Sequence, residues 1–429
     1  MKVNIFWFRR ALRLSDNTAL NNALAEGLPV LPVFIFDDNI TGELTEDDPR
    51  INFIYDSLSA LNNELGKYES SLLVLKGDPG EVWKKLIAEY DINCVFINKD
   101  YEPYAITRDN NIEKLLNQNN ITFKKFKDQV IFEEKEIVKG DGTPYTVFTP
   151  YRNRWMQVFS TESSDALSPL RTASQNYLKA SFAFPLIEKT GFRCSTIKVR
   201  PYDLSAIEDY HKFRDLPAED RTSYLSPHLR FGTVSIRELV RTAVSSNQVF
   251  LSELIWREFF MQILYNYPNV VTESFRPKYD NIRWRNNEKE FDLWCRGETG
   301  YPIVDAGMRQ LNRTGYMHNR VRMITASFLC KHLLIDWRWG EAYFASRLLD
   351  YELSSNNGNW QWAAGTGCDA APYFRVFNPY TQQEKFDPGF IYTRRWAPES
   401  QKPGYVPPVV EHAFARERAI KTYSEGIMQ

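Results

Sequence analysis

The sequence predicts an α/β domain with a doubly wound parallel sheet over residues 1–130, a long linker over 131–199 and an all-α domain over 200–429. Three observations predict this. Five apolar runs of strand length alternate with helix-period segments in the first part, and the periodicity then breaks in a stretch rich in Gly, Ser and Thr. From residue 200 onward apolar residues recur three and four apart to the end.

The strands are "VNIFWF" (3–8), "LPVFIF" (31–36), "SLLVL" (71–75), "CVFIN" (94–98) and "ITFKKF" (121–126). Segments such as "PRINFIYDSLSALNNELGKY" between them carry the helical period, so the strands lie parallel. Ligands of such sheets sit at the carboxyl ends of the strands. The turn after the first strand, "RRALRLSDN", has no glycine fingerprint, so a dinucleotide held by the usual phosphate loop is excluded. "KGDGTPY" and "STESSDALSPLRTASQ" read as turns and linker. Beyond them "SIRELVRTAV", "LSELIWREFFMQILYNY", "YPIVDAGMRQL" and "NRVRMITASFLCKHLLIDW" each read as a helix.

Composition limits the function classes. With 43% hydrophobic and 25% charged residues in 429, the chain is globular with a large core, and neither disordered nor fibrous. A formal charge of -1 gives no global signal for nucleic acid. Residues 301–350 hold seven basic and four acidic side chains, a patch that a solvated helix face explains better than a phosphate site. The five cysteines form no CxxC pair and the five histidines show no ligand spacing with them, so a reduced, cytoplasmic protein without a metal site is expected. "MKVNIFWFRR" meets charge at once, and neither a signal peptide nor a membrane span is read.

Eight of the eleven tryptophans follow residue 250. Any one of them is explained by core burial, but their company is polar. In "SELIWREFF", Glu253, Trp256 and Arg257 fall at i, i+3 and i+4 on one face. Either a Glu–Arg ion pair covers the indole, or the indole is a base-stacking surface beside a hydrogen-bonding carboxylate. In "GYMHNRVRMIT", Asn319, Arg320 and Met323 share a face, Arg320 and Arg322 suit phosphate or carboxylate, and an asparagine in mid-helix suggests a specific partner. His318 reads as a core or capping residue. In "DRTSYLSPHLRFG" the hydroxyls of Thr222, Ser223 and Ser226 precede a helix, where they hold a phosphate or form an ordinary N-cap. "SSNNGNWQWAAGTGCDAAPY" (354–373) crowds amides and indoles together, and Asn357 and Asn359 receive no role beyond turn and backbone.

As a set these stretches carry a resemblance. "FWFRRALRLSDNTAL", "TSYLSPHLRFG", "ELIWREFF", "GYPIVDAGMRQLNRTGYMHNRVRMITASFL" and "NNGNWQWAAGTGCDAAPYFRVFNP" resemble, in order and over essentially the whole chain, the photolyase/cryptochrome flavoproteins. The resemblance implies an N-terminal antenna domain and a helical domain holding FAD, active in its reduced anionic form. It implies that Tyr210, Thr222, Ser223, Tyr224, Leu225 and Ser226 hold the FAD phosphates and ribityl chain. Arg322 and Asp350 match the ion pair beside the flavin ring, Glu352 lies in the same stretch, and Asn356 matches the residue facing flavin nitrogen 5. Trp360, Trp337 and Trp284 match a relay that carries electrons from the surface to the flavin.

The same resemblance divides the function. The (6-4) photoproduct enzymes have two histidines where this chain has Asn319 and Met323, and those histidines supply the proton transfer that reaction needs. Light-driven splitting of cyclobutane pyrimidine dimers, of the class I type, is the better match. It implies that Glu253, Asn319 and Met323 contact the lesion, Trp256 and Trp362 wall its pocket, and Arg214, Arg257, Arg320 and Gln382 meet the DNA. The expected partner is UV-damaged DNA, bound by a monomer. A cryptochrome-type photoreceptor remains the alternative, though no long signalling tail is expected after Gln429, and so does a single-strand nucleic-acid binder without photochemistry. Tyr104 and Ala105 replace the Asn and Glu of folate-binding relatives, so a second antenna chromophore is expected to be a deazaflavin or flavin, with Arg50 and the "FIFDD" turn at 34–38 lining its pocket, unless the pocket is empty.

Overall fold

The computed structural model describes residues 1–166, 175–370 and 372–428. Its five strands are β1 (Lys2–Phe8), β2 (Val30–Asp37), β3 (Leu73–Gly77), β4 (Asp91–Asn98) and β5 (Thr122–Phe126). All pair in parallel in the order β3-β2-β1-β4-β5. The order reverses between β1 and β4, the feature of a doubly wound sheet. β1 explains its own composition: Phe6 and Phe8 enter the core on one face, while Val3, Ile5 and Trp7 enter the core on the other. Covered on both faces, the strand is nearly all apolar, and its one buried polar side chain, Asn4, accepts from Asn93.

The chain divides into two compact units. One comprises Met1–Ile137, Trp155–Tyr202 and Tyr224–Ser246, and the other Val138–Arg154, Asp203–Ser223 and Asn247–Gln429. The stretch expected to be linker contains a helix, Phe148–Ala166. Its buried stripe, Tyr151, Trp155 and Phe159, runs at i, i+4 and i+8, and the flanking turn residues mask it in the sequence. Residues 160–166 of the Ser/Thr-rich segment are its last turns, and 167–174 lie outside the described residues.

In the second unit the helices enclose a core built on Trp294, Trp337, Trp360 and Phe344, with a smaller cluster about Tyr279, Leu334 and Tyr423. The run from 319 to 337 is not one helix. An α-helix, Asn319–Ser327, widens into a single π turn, Phe328–His332, and stops where Leu334 takes a positive φ of 51°. Asp336 then caps the next helix, Trp337–Arg347, accepting from the Arg338 N–H. Asn319 is therefore the first residue of its helix, with His318 as the cap, and the mid-helix argument for a partner does not hold for it. Among the described residues no helix is long and apolar enough to cross a membrane.

Candidate functional site

Polar groups of the second unit collect around the start of the helix Leu353–Ala364. Arg322 donates through Nε to the Met317 carbonyl (2.8 Å) and pairs with Asp350 Oδ2 at 2.9 Å. The other oxygen of Asp350 and the Ser354 hydroxyl are buried without a protein partner, so both are open to a ligand. Glu352 accepts from Arg257 (3.3 Å) and from the Ser355 hydroxyl (3.0 Å). Asn356 donates its amide to the carboxylate of Glu341 at 2.7 Å and to that residue's carbonyl at 3.1 Å. With its N–H bonds on Glu341, the amide has its carbonyl oxygen left to offer a ligand. Burial raises the Glu341 carboxyl above its ordinary range, against the opposing bond from Asn356. A planar heterocycle with N–H groups and carbonyls fits this donor and acceptor set, as a flavin has.

Of the residues expected at the FAD phosphates, Tyr210, Thr222 and Ser223 belong to the second unit and Tyr224, Leu225 and Ser226 to the first. Tyr210 packs edge-on against Phe250 under the Arg214 guanidinium. Tyr224 has a positive φ of 51°, and its hydroxyl accepts from Arg200 at 2.8 Å. Leu225 is buried, and Ser226 opens a helix, Ser226–Phe231, that has no side-chain cap, so the ordinary N-cap reading of these hydroxyls fails.

A second group lies along the helix Gln248–Asn266. Glu253 pairs with Arg214 at 2.6 Å rather than with Arg257, which turns to Glu352. The next residue, Asp215, pairs with Arg320 at 2.7 Å, so adjacent residues 214 and 215 tie Glu253 to the Asn319–Met323 face. Burial raises the Glu253 carboxyl, and Arg214 opposes that shift. Arg320 also covers the Phe386 ring at 4.2 Å and approaches Met323 Sδ at 3.6 Å. Asn319 is exposed, while Met323, Trp362 and Gln382 are half-buried. Trp256 lies flat on Phe148 with centroids 3.6 Å apart and planes 8° apart, and stacks on Phe260 at 5.4 Å. Arg257, expected at the DNA surface, is largely buried in its pair with Glu352.

His318 accepts from the Arg320 N–H through Nδ1, and burial pushes its pKa down to about 4. The basic patch at 301–350 is mostly paired: Arg309 with Glu399, Arg320 with Asp215, Arg322 with Asp350 and Arg338 with Asp280.

Trp360 and Trp337 are buried in the core, and Trp284 packs against it from a partly exposed position. Glycine brings the helices close there, since a Cβ on Gly340 would lie 2.2 Å from Trp360. Two features of the site lie outside the sequence expectations. Glu341 has no spacing that marks it as the Asn356 partner. Asn357 and Gln361, by contrast, stand at i and i+4, a usable signal. Asn357 donates to the Val270 carbonyl at 2.9 Å, and Gln361 donates to the carbonyls of Val270 and Glu273 and accepts from the Phe275 N–H.

The model of the FAD binding domain of DNA photolyase matches residues 250–404, and the DNA photolyase model matches residues 4–170. The chain is 36% identical to the deoxyribodipyrimidine photo-lyase of Halobacterium salinarum, covering 99% of each chain. It is 36% identical to that of Escherichia coli, over 99% of this chain and 98% of the other. Among solved structures it is similar to a class III photolyase from Agrobacterium tumefaciens, with a TM-score of 0.87 and 34% identity over 100% and 98% of the two chains. An archaeal photolyase from Sulfolobus tokodaii with two FAD molecules gives 0.86 and 36% over 99% and 100%. A Synechocystis cryptochrome gives 0.81 and 28% over 98% and 99%.

Proposed function

This chain belongs to the DNA photolyase family and is an enzyme of light-driven DNA repair, and from that premise we propose that its lesion is the cyclobutane pyrimidine dimer. One observation carries the choice. Neither Asn319 nor Met323 carries an imidazole, and among the described residues the histidine beside them, His318, is a buried, neutral cap that accepts the Arg320 N–H through Nδ1. A repair needing imidazole proton transfer has no residue to perform it there.

FAD, when reduced and excited by light, supplies the electron that opens the cyclobutane ring. The chain's own residues bind and orient. Arg322 and Asp350 would hold the flavin, and Ser354 and the free oxygen of Asp350 are buried where it would satisfy them. Asn356, held by Glu341, would offer its carbonyl oxygen to the flavin ring. Glu253 accepts a hydrogen bond from a pyrimidine ring N–H while Asn319 and Met323 border it. Trp256, rigid on Phe148, and Trp362 exclude water beside a dimer flipped from the duplex. Arg214, Arg320 and Gln382 meet phosphates, with salt-dependent affinity. Trp284, Trp337 and Trp360 relay electrons inward. The enzyme acts in the cell as a monomer.

A second, flavin-type antenna is part of this reading. At the carboxyl end of β2, Asp37 accepts from the Tyr104 hydroxyl at 2.7 Å, and Arg50 lies against Asp48. The similar Sulfolobus tokodaii structure has two FAD molecules. Two chromophores in the extract of denatured protein, one of them not folate, would support it.

The test of the main reading exposes cyclobutane-dimer and (6-4) DNA to the reduced enzyme and light in parallel. Restoration of the cyclobutane substrate alone is expected. Restoration of the (6-4) lesion alone overturns the assignment, and light-dependent partner binding without repair favours the photoreceptor.

A further inference from the structure

The aromatic path does not stop at Trp284. The Trp284 ring meets Tyr423 edge to face, with centroids 5.7 Å apart and planes at 88°, and Tyr373 lies parallel to Tyr423 at 6.1 Å. Tyr423, on the helix His412–Ile427, is fully buried, so an oxidised Trp284 has a phenol within contact to draw on. Over that phenol lies a buried cation. Lys331, in the π turn and 1% exposed, places Nζ 3.7 Å from the ring centroid and donates to the carbonyls of Ala364 (2.8 Å) and Tyr373 (3.2 Å). The Tyr423 hydroxyl donates to the same Ala364 carbonyl at 2.8 Å.

We propose that the Lys331 ammonium keeps Tyr423 out of the electron relay, confining the oxidised site to Trp284. The inference rests on the relay reading of Trp284. Transfer would move one electron from the Tyr423 ring to oxidised Trp284 and release the phenol proton. A positive charge over the ring opposes the first event. It also denies the second an acceptor, because Lys331 already holds its full complement of protons and a carbonyl does not take one up. A neutral Lys331 amine reverses both, accepting the phenol proton next to their shared carbonyl. Burial pushes Lys331 down to about 7, while the ring face and two carbonyls favour its charge. Cys330 lies beside it, and Asp336, Tyr279 and the stacked Tyr373 lie about Tyr423 as the other titratable groups near the pair.

The test is flash photolysis of the FAD-loaded enzyme without added reductant, reading tyrosyl against tryptophan radical by their absorption bands. At pH 6 the wild type should give tryptophan radical alone, and at pH 9 a tyrosyl fraction at least several-fold larger. Lys331→Arg, charged throughout, should stay at the pH 6 pattern, and Lys331→Met, which cannot titrate, should show no pH dependence. Tyr423→Phe should abolish the tyrosyl signal. A pH-independent wild type, or the same rise in either Lys331 variant, overturns the proposal. If no tryptophan radical forms, or Trp284→Phe leaves it unchanged, the relay itself is wrong and the proposal falls with it.

Discussion

The side-chain amide of Asn356 is held by Glu341, fifteen residues upstream, through bonds of 2.7 Å to the carboxylate and 3.1 Å to the carbonyl. That pairing fixes which end of the amide points away. Glu341→Ala removes the carboxylate bond, a net loss of about 1 kcal/mol, or roughly fivefold in the population of the productive orientation. Flavin content should be retained and photoreduction of oxidised flavin should slow by about that factor, as followed by absorbance under steady illumination.

Trp337 is buried but its Nε1 has no partner, so replacing it by phenylalanine breaks no hydrogen bond. Trp337→Phe should cost about 1–3 kcal/mol through the cavity alone. Photoreduction should collapse, while repair by chemically reduced enzyme persists. Loss of both activities in a folded, flavin-loaded variant would place Trp337 outside the relay.

Gly358 sits where a Cβ would lie 2.1 Å from Phe260, a ring in the Trp256 stack. Alanine gains about 1 kcal/mol of helix propensity, but overpacking costs about 1–3 kcal/mol, so Gly358→Ala should lower the melting temperature. Gly66, which would meet nothing within 4 Å, is the control, and Gly66→Ala should leave it level or raised.

His318 is neutral in the native state, its pKa pushed down to about 4 by burial. The unfolded chain takes up this proton first, near pH 6.5, so the stability is present above that pH and is lost as the pH falls toward 4. The loss over that span amounts to about 3–4 kcal/mol, since each tenfold weakening of proton affinity is equivalent to roughly 1.4 kcal/mol. Urea midpoints at pH 7 and pH 5 should differ less in His318→Asn, which keeps an acceptor for the Arg320 N–H.

How much of the structure is legible in the sequence depends on how far away each partner lies. All five strands appear where the apolar stretches stand: the inner strands β1, β2 and β4, buried on both faces, write themselves as near-continuous runs, and the half-buried edge strands β3 and β5 as shorter ones. The helix Phe148–Ala166 is hidden because three buried aromatics are scattered among Ser, Thr, Asn and Arg. The break after Ser327 is hidden because a π turn keeps the apolar residues coming. At the site the residue types are legible and the pairings are not. Local spacing offers Arg257 to Glu253, yet Glu253 takes Arg214, 39 residues upstream, and Arg257 takes Glu352, 95 residues downstream. No periodicity carries information over such separations.

The amides of Asn357 and Gln361 grip residues 270, 273 and 275 through main-chain carbonyls and an N–H, never through their side chains. That attachment is blind to what those positions encode. Evolution can rewrite the segment letter by letter while the helix carrying Asn356 and Trp360 stays moored, so drift there should be fast and drift at 357 and 361 slow.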